Sequence, residues 1–147
     1  ELHMGSYGIG VSRLVGAIIE ASHDDKGIIW PEAISPFEIA IINLKPGNKT
    51  VDNISETLYR AGLLNKHDCL YDDSDESAGT KLAVMDLIGI PWQLVVGPRG
   101  LKQNIIELKH RKSGRVLEIS PEMAIEFISR QGNFIMPNTS LLRGTKI

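Results

Sequence analysis

The 147 residues contain one cysteine, Cys69. That excludes an internal disulfide and a zinc site built from several thiolates, and it fits a reducing, cytoplasmic compartment. No stretch approaches ~18 consecutive apolar residues, so no membrane span is expected. The opening Glu1-Leu2-His3 is not a basic n-region, so no secretory signal is expected either. Net charge is nearly absent: 16 Lys and Arg against 18 Asp and Glu leave −2. That is too little for a nonspecific nucleic-acid coat. Internal repeats and low-complexity segments are missing. The four histidines, His3, His23, His67 and His110, are widely spaced and form no HExxH or paired-ligand pattern, so no metal site is expected. No Ser/His/Asp nucleophile arrangement stands out.

What remains is ordinary globular material. Apolar residues make up 42% and charged residues 23%, which suits one domain with a real core, or one domain with a fragment of another. The charge is unevenly placed. Residues 97–115 hold Arg99, Lys102, Lys109, Arg111, Lys112 and Arg115 against Glu107 alone, whereas Asp68, Asp72, Asp73, Asp75 and Glu76 form an acidic run upstream. A solvated face explains either run. A local basic patch on an acidic protein is also what selective phosphate binding needs.

Val11, Leu14, Val15, Ile18 and Ile19 recur at helical spacing, predicting an amphipathic helix over 11–22. Residues 23–27 read as a polar break. Phe37–Asn43 is nearly all apolar and predicts a strand buried on both faces. A second helix carries Val51, Ile54, Leu58 and Ala61, with Gly62 as its stop. A short strand follows at 69–71, then a third helix over 76–88, with Asp72–Glu76 as its acidic N-terminal turn. Residues 92–96 predict a strand closed by Gly97-Pro98. Residues 105–110 and 116–119 flank Lys112-Ser113-Gly114 as a hairpin. Ser120-Pro121-Glu122 is a helix start, with a serine cap and proline at the first position. Cys69 and Trp92 are expected in the core. Strands alternating with helices imply a three-layer α/β domain with a mixed, largely parallel five-stranded sheet. Residues 1–35 fall outside that plan.

Gly5-Ser6-Tyr7-Gly8-Ile9-Gly10 matches neither a Walker loop nor G-x-G-x-x-G. By spacing alone it is equally a glycine strand packed against a helix. Arg13 follows it early in the first helix, where a guanidinium fork suits phosphate. The stretch MGSYGIGVSRLVGAIIE resembles motif 3 of class II aminoacyl-tRNA synthetases. With HDDKGIIWPEAISPF and YDDSDESAGTKLAVMDLIGIPWQLVVGPRGL it resembles the bacterial prolyl-tRNA synthetase family over residues 4–130.

That resemblance implies a C-terminal fragment. Residues 1–35 would end the catalytic domain, 36–133 would form the anticodon-binding domain, and 134–147 would be a tail. It implies that Arg13 matches the catalytic, ATP-binding arginine, and that Ser6, Gly8 and Gly10 line the adenylate site. The parent would use ATP and Mg²⁺ to join proline to tRNA(Pro), as a homodimer through the missing catalytic domain, and the fragment alone would be inactive. Proline anticodons share two guanines, whose N1–H and N2–H₂ suit a carboxylate. The family positions for anticodon contact fall on Asp86, Gln93 and Arg99. Lys81, Lys102, Lys109, Arg111 and Lys112 are expected to meet tRNA phosphate or solvent. Two other readings stay open. One is a free-standing anticodon-domain-like accessory module without catalysis. The other is a flavodoxin-like nucleotide-binding domain, for which Lys45-Pro46-Gly47-Asn48 is a poor phosphate loop.

Overall fold

The structure is a computed structural model, and it describes residues 3–5 and 7–130. Ser6 and the expected tail at 134–147 lie outside the described residues. The chain begins with helix α1 (Val11–Ala21), a two-stranded hairpin of β1 (His23–Asp24) and β2 (Gly27–Ile28), and a 3₁₀ turn at Glu32–Ile34. It continues through β3 (Ile39–Asn43), α2 (Lys49–Leu64), β4 (Cys69–Asp72) and α3 (Ala78–Ile88). Then come β5 (Trp92–Val96), the short α4 (Pro98–Leu101), β6 (Ile106–His110), β7 (Val116–Ile119) and α5 (Pro121–Ser129).

The main sheet has five strands in the order β4-β3-β5-β6-β7. Strands β4, β3 and β5 are parallel, while β6 and β7 are antiparallel additions. The expected mixed sheet is therefore present. Strand β3 lies at its centre with all five residues buried. Ile39 and Ile41 face one cluster with Val51 and Leu58 of α2 and Ala124, Phe127 and Ile128 of α5. Ala40 and Ile42 face a second cluster with Met85 of α3, Ile90 and Val95. An apolar strand without alternation is what burial on both faces requires.

Side-chain caps set the helix starts. Asn48 accepts from the N–H groups of Thr50 and Val51, Ser77 from Thr80, and Ser120 from Met123. Several expectations change here. The polar break at 23–27 is a hairpin, because the Asp24 carboxylate accepts from the N–H groups of Lys26 and Gly27. Gly62 does not stop α2. The helix runs on to Leu64, and Gly62 is needed because a Cβ there would meet Cys69 Sγ at 2.3 Å. The acidic run is not the first turn of α3: Asp72 ends β4, and the first turn carries no acid. Gly97-Pro98 closes β5 and also opens α4, with proline at its start.

Helix α1 has no buried residue, and Val11, Leu14 and Val15 stand exposed. Cys69 is buried, and burial pushes its thiol up to about 11, with Glu38 and Asp68 adding to the effect. Trp92 stacks on His110 at 4.4 Å and meets the edge of Phe127 at 5.1 Å, as a core aromatic. Among the described residues no helix is long and apolar enough to cross a membrane.

Candidate nucleic-acid interface

Alternation along the strands divides the sheet into two faces. Ile106 and Leu108 of β6 join the cluster under α2 and α5, so Glu107 and Lys109 point to the α3 side. Register pairs Gln93 with Lys109 and Val95 with Glu107, and Glu118 of β7 lies across from Glu107. Helix α3 packs over Ala40, Ile42 and Val95, and Glu107, Val116 and Glu118 are exposed. The result is an open polar face beside a helix.

Asp86, near the end of α3, borders this face. Both its oxygens accept from Lys109 Nζ, at 2.5 and 2.7 Å, and Gln93 Nε2 reaches Oδ1 at 3.2 Å. The Asp86 side chain is 14% exposed and that of Lys109 20%. Gln93 is fully buried; its amide nitrogen also lies near the Met85 and Ile90 carbonyls, and its oxygen has no hydrogen-bond partner among the described residues. Gln93 is therefore placed to orient Asp86, with no exposed atom to offer a base.

Beneath Asp86 lies an arginine bridge. Arg111 Nε donates to the Asp86 carbonyl at 3.0 Å, and its two terminal nitrogens donate to the Asp24 carboxylate at 2.8 and 2.5 Å. A bidentate fork of this kind is strong and directional. The Arg111 guanidinium holds the Asp24 carboxyl well below the usual carboxylate range, and Asp24 in turn raises Arg111. The hairpin is pressed close here: a Cβ on Gly89 would meet the Ile28 carbonyl oxygen at 2.1 Å, and Trp30 Nε1 donates to the Ile88 carbonyl at 2.9 Å.

Arg99 is exposed, in the first turn of α4, just past the end of β5. It borders a cavity of about 400 Å³ lined also by Ala78, Val95 and Glu107. Ala78 begins α3 whereas Asp86 is near its end. Arg99 and Asp86 thus lie on the same face of the sheet, at opposite ends of β5. A five-residue strand spans roughly 16 Å, so the two side chains are well separated along that face.

The expected phosphate contacts divide sharply. Lys102 and Lys112 are exposed and available. Lys109 is held by Asp86. Arg111 is only 4% exposed and engaged by Asp24, so it is no phosphate contact. Lys81 is neither solvent-facing nor able to reach a phosphate: its side chain is fully buried, its ammonium donates to the Asn43 carbonyl at 2.6 Å, and Asp72 lies 3.6 Å away. Neither correction has a local signal. Lys81 lies 38 residues from Asn43, and Arg111 87 from Asp24.

At the other end of the chain, Gly8, Gly10 and Arg13 are all exposed. A Cβ built on Gly8 meets nothing within 4 Å, and one on Gly10 meets only the side chain of Arg13. The described residues there form no cradle for ATP, and no step through ATP is derived.

Residues 38–131 match the model of the anticodon binding domain family. The chain belongs to that family. It is 58% identical over 128 residues to the proline–tRNA ligase of Parvibaculum lavamentivorans, covering 87% of this chain and 29% of that protein. It is 59% identical over 124 residues to the proline–tRNA ligase of Dinoroseobacter shibae, covering 84% and 28%. The proline–tRNA ligase of Paracoccus denitrificans is 56% identical over 124 residues, with the same coverage. The chain therefore spans less than a third of the length of these relatives. Within the anticodon-binding-domain family match lie Asp86, Gln93, Arg99 and Lys109, but not Asp24 of the hairpin. Sequence reasoning missed Asp24, whose partner is fixed only by folding.

Proposed function

We propose that this chain is the anticodon-reading part of a proline–tRNA ligase, and that the open face between α3 and β6–β7 binds the anticodon of tRNA(Pro). The single observation that carries this reading is the polar face itself, in a chain 58% identical to such a ligase over most of its length. A carboxylate held by Lys109 stands at one end, and at the other an exposed arginine with no ion-pair partner among the described residues.

Asp86 accepts the N1–H and N2–H₂ of one unpaired guanine. Its two oxygens together offer about four lone-pair sites, so Lys109 and Gln93 do not exhaust them. Lys109 and Gln93 fix the carboxylate before tRNA arrives, which lowers the ordering cost of recognition. Arg99 contacts a neighbouring base or phosphate, and exposed Lys102 and Lys112 add sequence-independent attraction to the backbone. In the parent enzyme, ATP, Mg²⁺ and proline serve formation of the aminoacyl bond. Residues 1–35 then belong to the catalytic part, Arg13 adds one cation to an ATP site completed elsewhere, and the enzyme works as a cytoplasmic homodimer. This chain by itself contributes recognition and no aminoacylation.

The test is a titration of the chain against a tRNA(Pro) transcript and a transcript with both anticodon guanines replaced by adenine, at two salt concentrations. A loss of at least tenfold for the substituted tRNA is expected, from bidentate contacts of ~1–3 kcal/mol each. Equal binding of both transcripts, or prolyl-adenylate formation by the chain alone, would overturn the reading.

A further inference from the structure

Three acids lie on the open face, Asp86, Glu107 and Glu118, and they differ in what already holds them and in whether they border a cavity. Asp86 is neutralised by Lys109 and steadied by Gln93. The Glu107 carboxylate is exposed and has no hydrogen-bond or ion-pair partner among the described residues. It borders the cavity of about 400 Å³ whose other walls include Leu44, Val95, Pro98, Ile105 and Arg99. That volume falls in the range of small-ligand sites, and the composition is typical of them: apolar walls with a few convergent polar groups.

The position of the cavity in the fold adds a second argument. Leu44 follows β3 and Gly97 follows β5, so the cavity opens beyond the carboxyl ends of two adjacent parallel strands. From β3 the chain leaves through α2 to β4 on one side, and it returns through α3 to β5 on the other. Crevices at such a reversal of strand order are where open α/β sheets bind ligands.

We propose that this cavity is a second base pocket and that Glu107 reads a guanine there, a proposal that rests on the anticodon reading above. The apolar walls take the flat base. The free carboxylate accepts from N1–H and N2–H₂, and Arg99 meets O6 and N7 or the adjoining phosphate. Guanine alone among the four standard bases presents an imino and an amino donor side by side, so a carboxylate selects it. Glu107 and Lys109 are two residues apart on β6, a step of ~7 Å along one face. The acid held by Lys109 and the free acid therefore address successive nucleotides of one unstacked strand.

The experiment measures binding of wild type, Glu107→Gln and Asp86→Asn to three tRNA(Pro) transcripts: the native one and two in which either anticodon guanine alone becomes adenine. Glu107→Gln preserves the fold, because its carboxylate holds nothing in place; its thermal midpoint should match wild type. The expected result is a roughly tenfold loss of discrimination at one guanine with the other retained, and the opposite assignment for Asp86→Asn. The inference is overturned if Glu107→Gln discriminates like wild type at both positions, loses both equally, or loses the same guanine as Asp86→Asn. Failure of wild type itself to discriminate would overturn the anticodon reading and this inference with it. The wild-type titration thus separates the two failures.

Discussion

The pair between Asp86 and Lys109 should be both a stabilising contact and the reason that Asp86 is rigid. At an effective dielectric of about 20, unit charges 2.7 Å apart attract by ~6 kcal/mol. Desolvation offsets most of that, since the two side chains are 14% and 20% exposed. A net coupling of about 1–2 kcal/mol remains. Asp86→Asn leaves the ammonium mostly buried without a counter-charge and is expected to cost about 2 kcal/mol. Lys109→Met leaves the carboxylate with Gln93 and water and should cost about 1–2 kcal/mol. The double variant should then be more stable than the two single losses would suggest, by the coupling. Urea unfolding of the four proteins measures it. Lys109→Met adds a binding readout. Because Lys109 is neutralised by Asp86, its loss should blur discrimination at one guanine and leave the salt dependence of tRNA binding nearly unchanged. A coupling below ~0.5 kcal/mol, or a fall of about one in the salt slope, would refute the reasoning. Lys109 would then be an ordinary phosphate contact.

Two further outcomes follow from the docking of the hairpin. Gly89 caps α3 at φ +81°, and a Cβ there would collide with the Ile28 carbonyl, whereas Gly114 at φ +65° has open space around it. Gly114→Ala should cost only the left-handed penalty of ~1–2 kcal/mol, and Gly89→Ala clearly more, in denaturant unfolding; equal losses would mean that the hairpin does not pack there. Asp24 has its carboxyl lowered by Arg111, so its stabilisation is complete above the unfolded value near ~4 and is lost as pH falls through the native value. The stability gap between wild type and Asp24→Asn should therefore be constant from pH 7 to 5 and shrink below pH 4, and a gap that stays constant into acid would remove Arg111 as its cause.

The sequence by itself determined the main strands and helices from residue 37 onward and their order, but not the β1–β2 hairpin or α4. The apolar run at 39–42 suits a strand covered on both faces, and Ser120-Pro121-Glu122 suits the start of a helix. The resemblance also placed Asp86, Gln93 and Arg99 near one strand, since Gln93 lies within Trp92–Val96 and the other two flank it. These signals are local: periodicity, caps and turn residues act over a few positions. What those residues touch was decided by tertiary structure. Lys81 reads like any helix lysine, yet folding carries it under the Asn43 carbonyl. Arg111 reads like its basic neighbours, yet a hairpin 87 residues away supplies its carboxylate. Gly62 reads like a helix stop, yet its role is to let Cys69 approach. Whether a charged side chain is free for a ligand depends on the counter-charge that folding places beside it. On this face folding neutralised Asp86 and Arg111 and left Glu107 and Arg99 open, because only pairing across the sheet and the docking of the hairpin determine which charges meet.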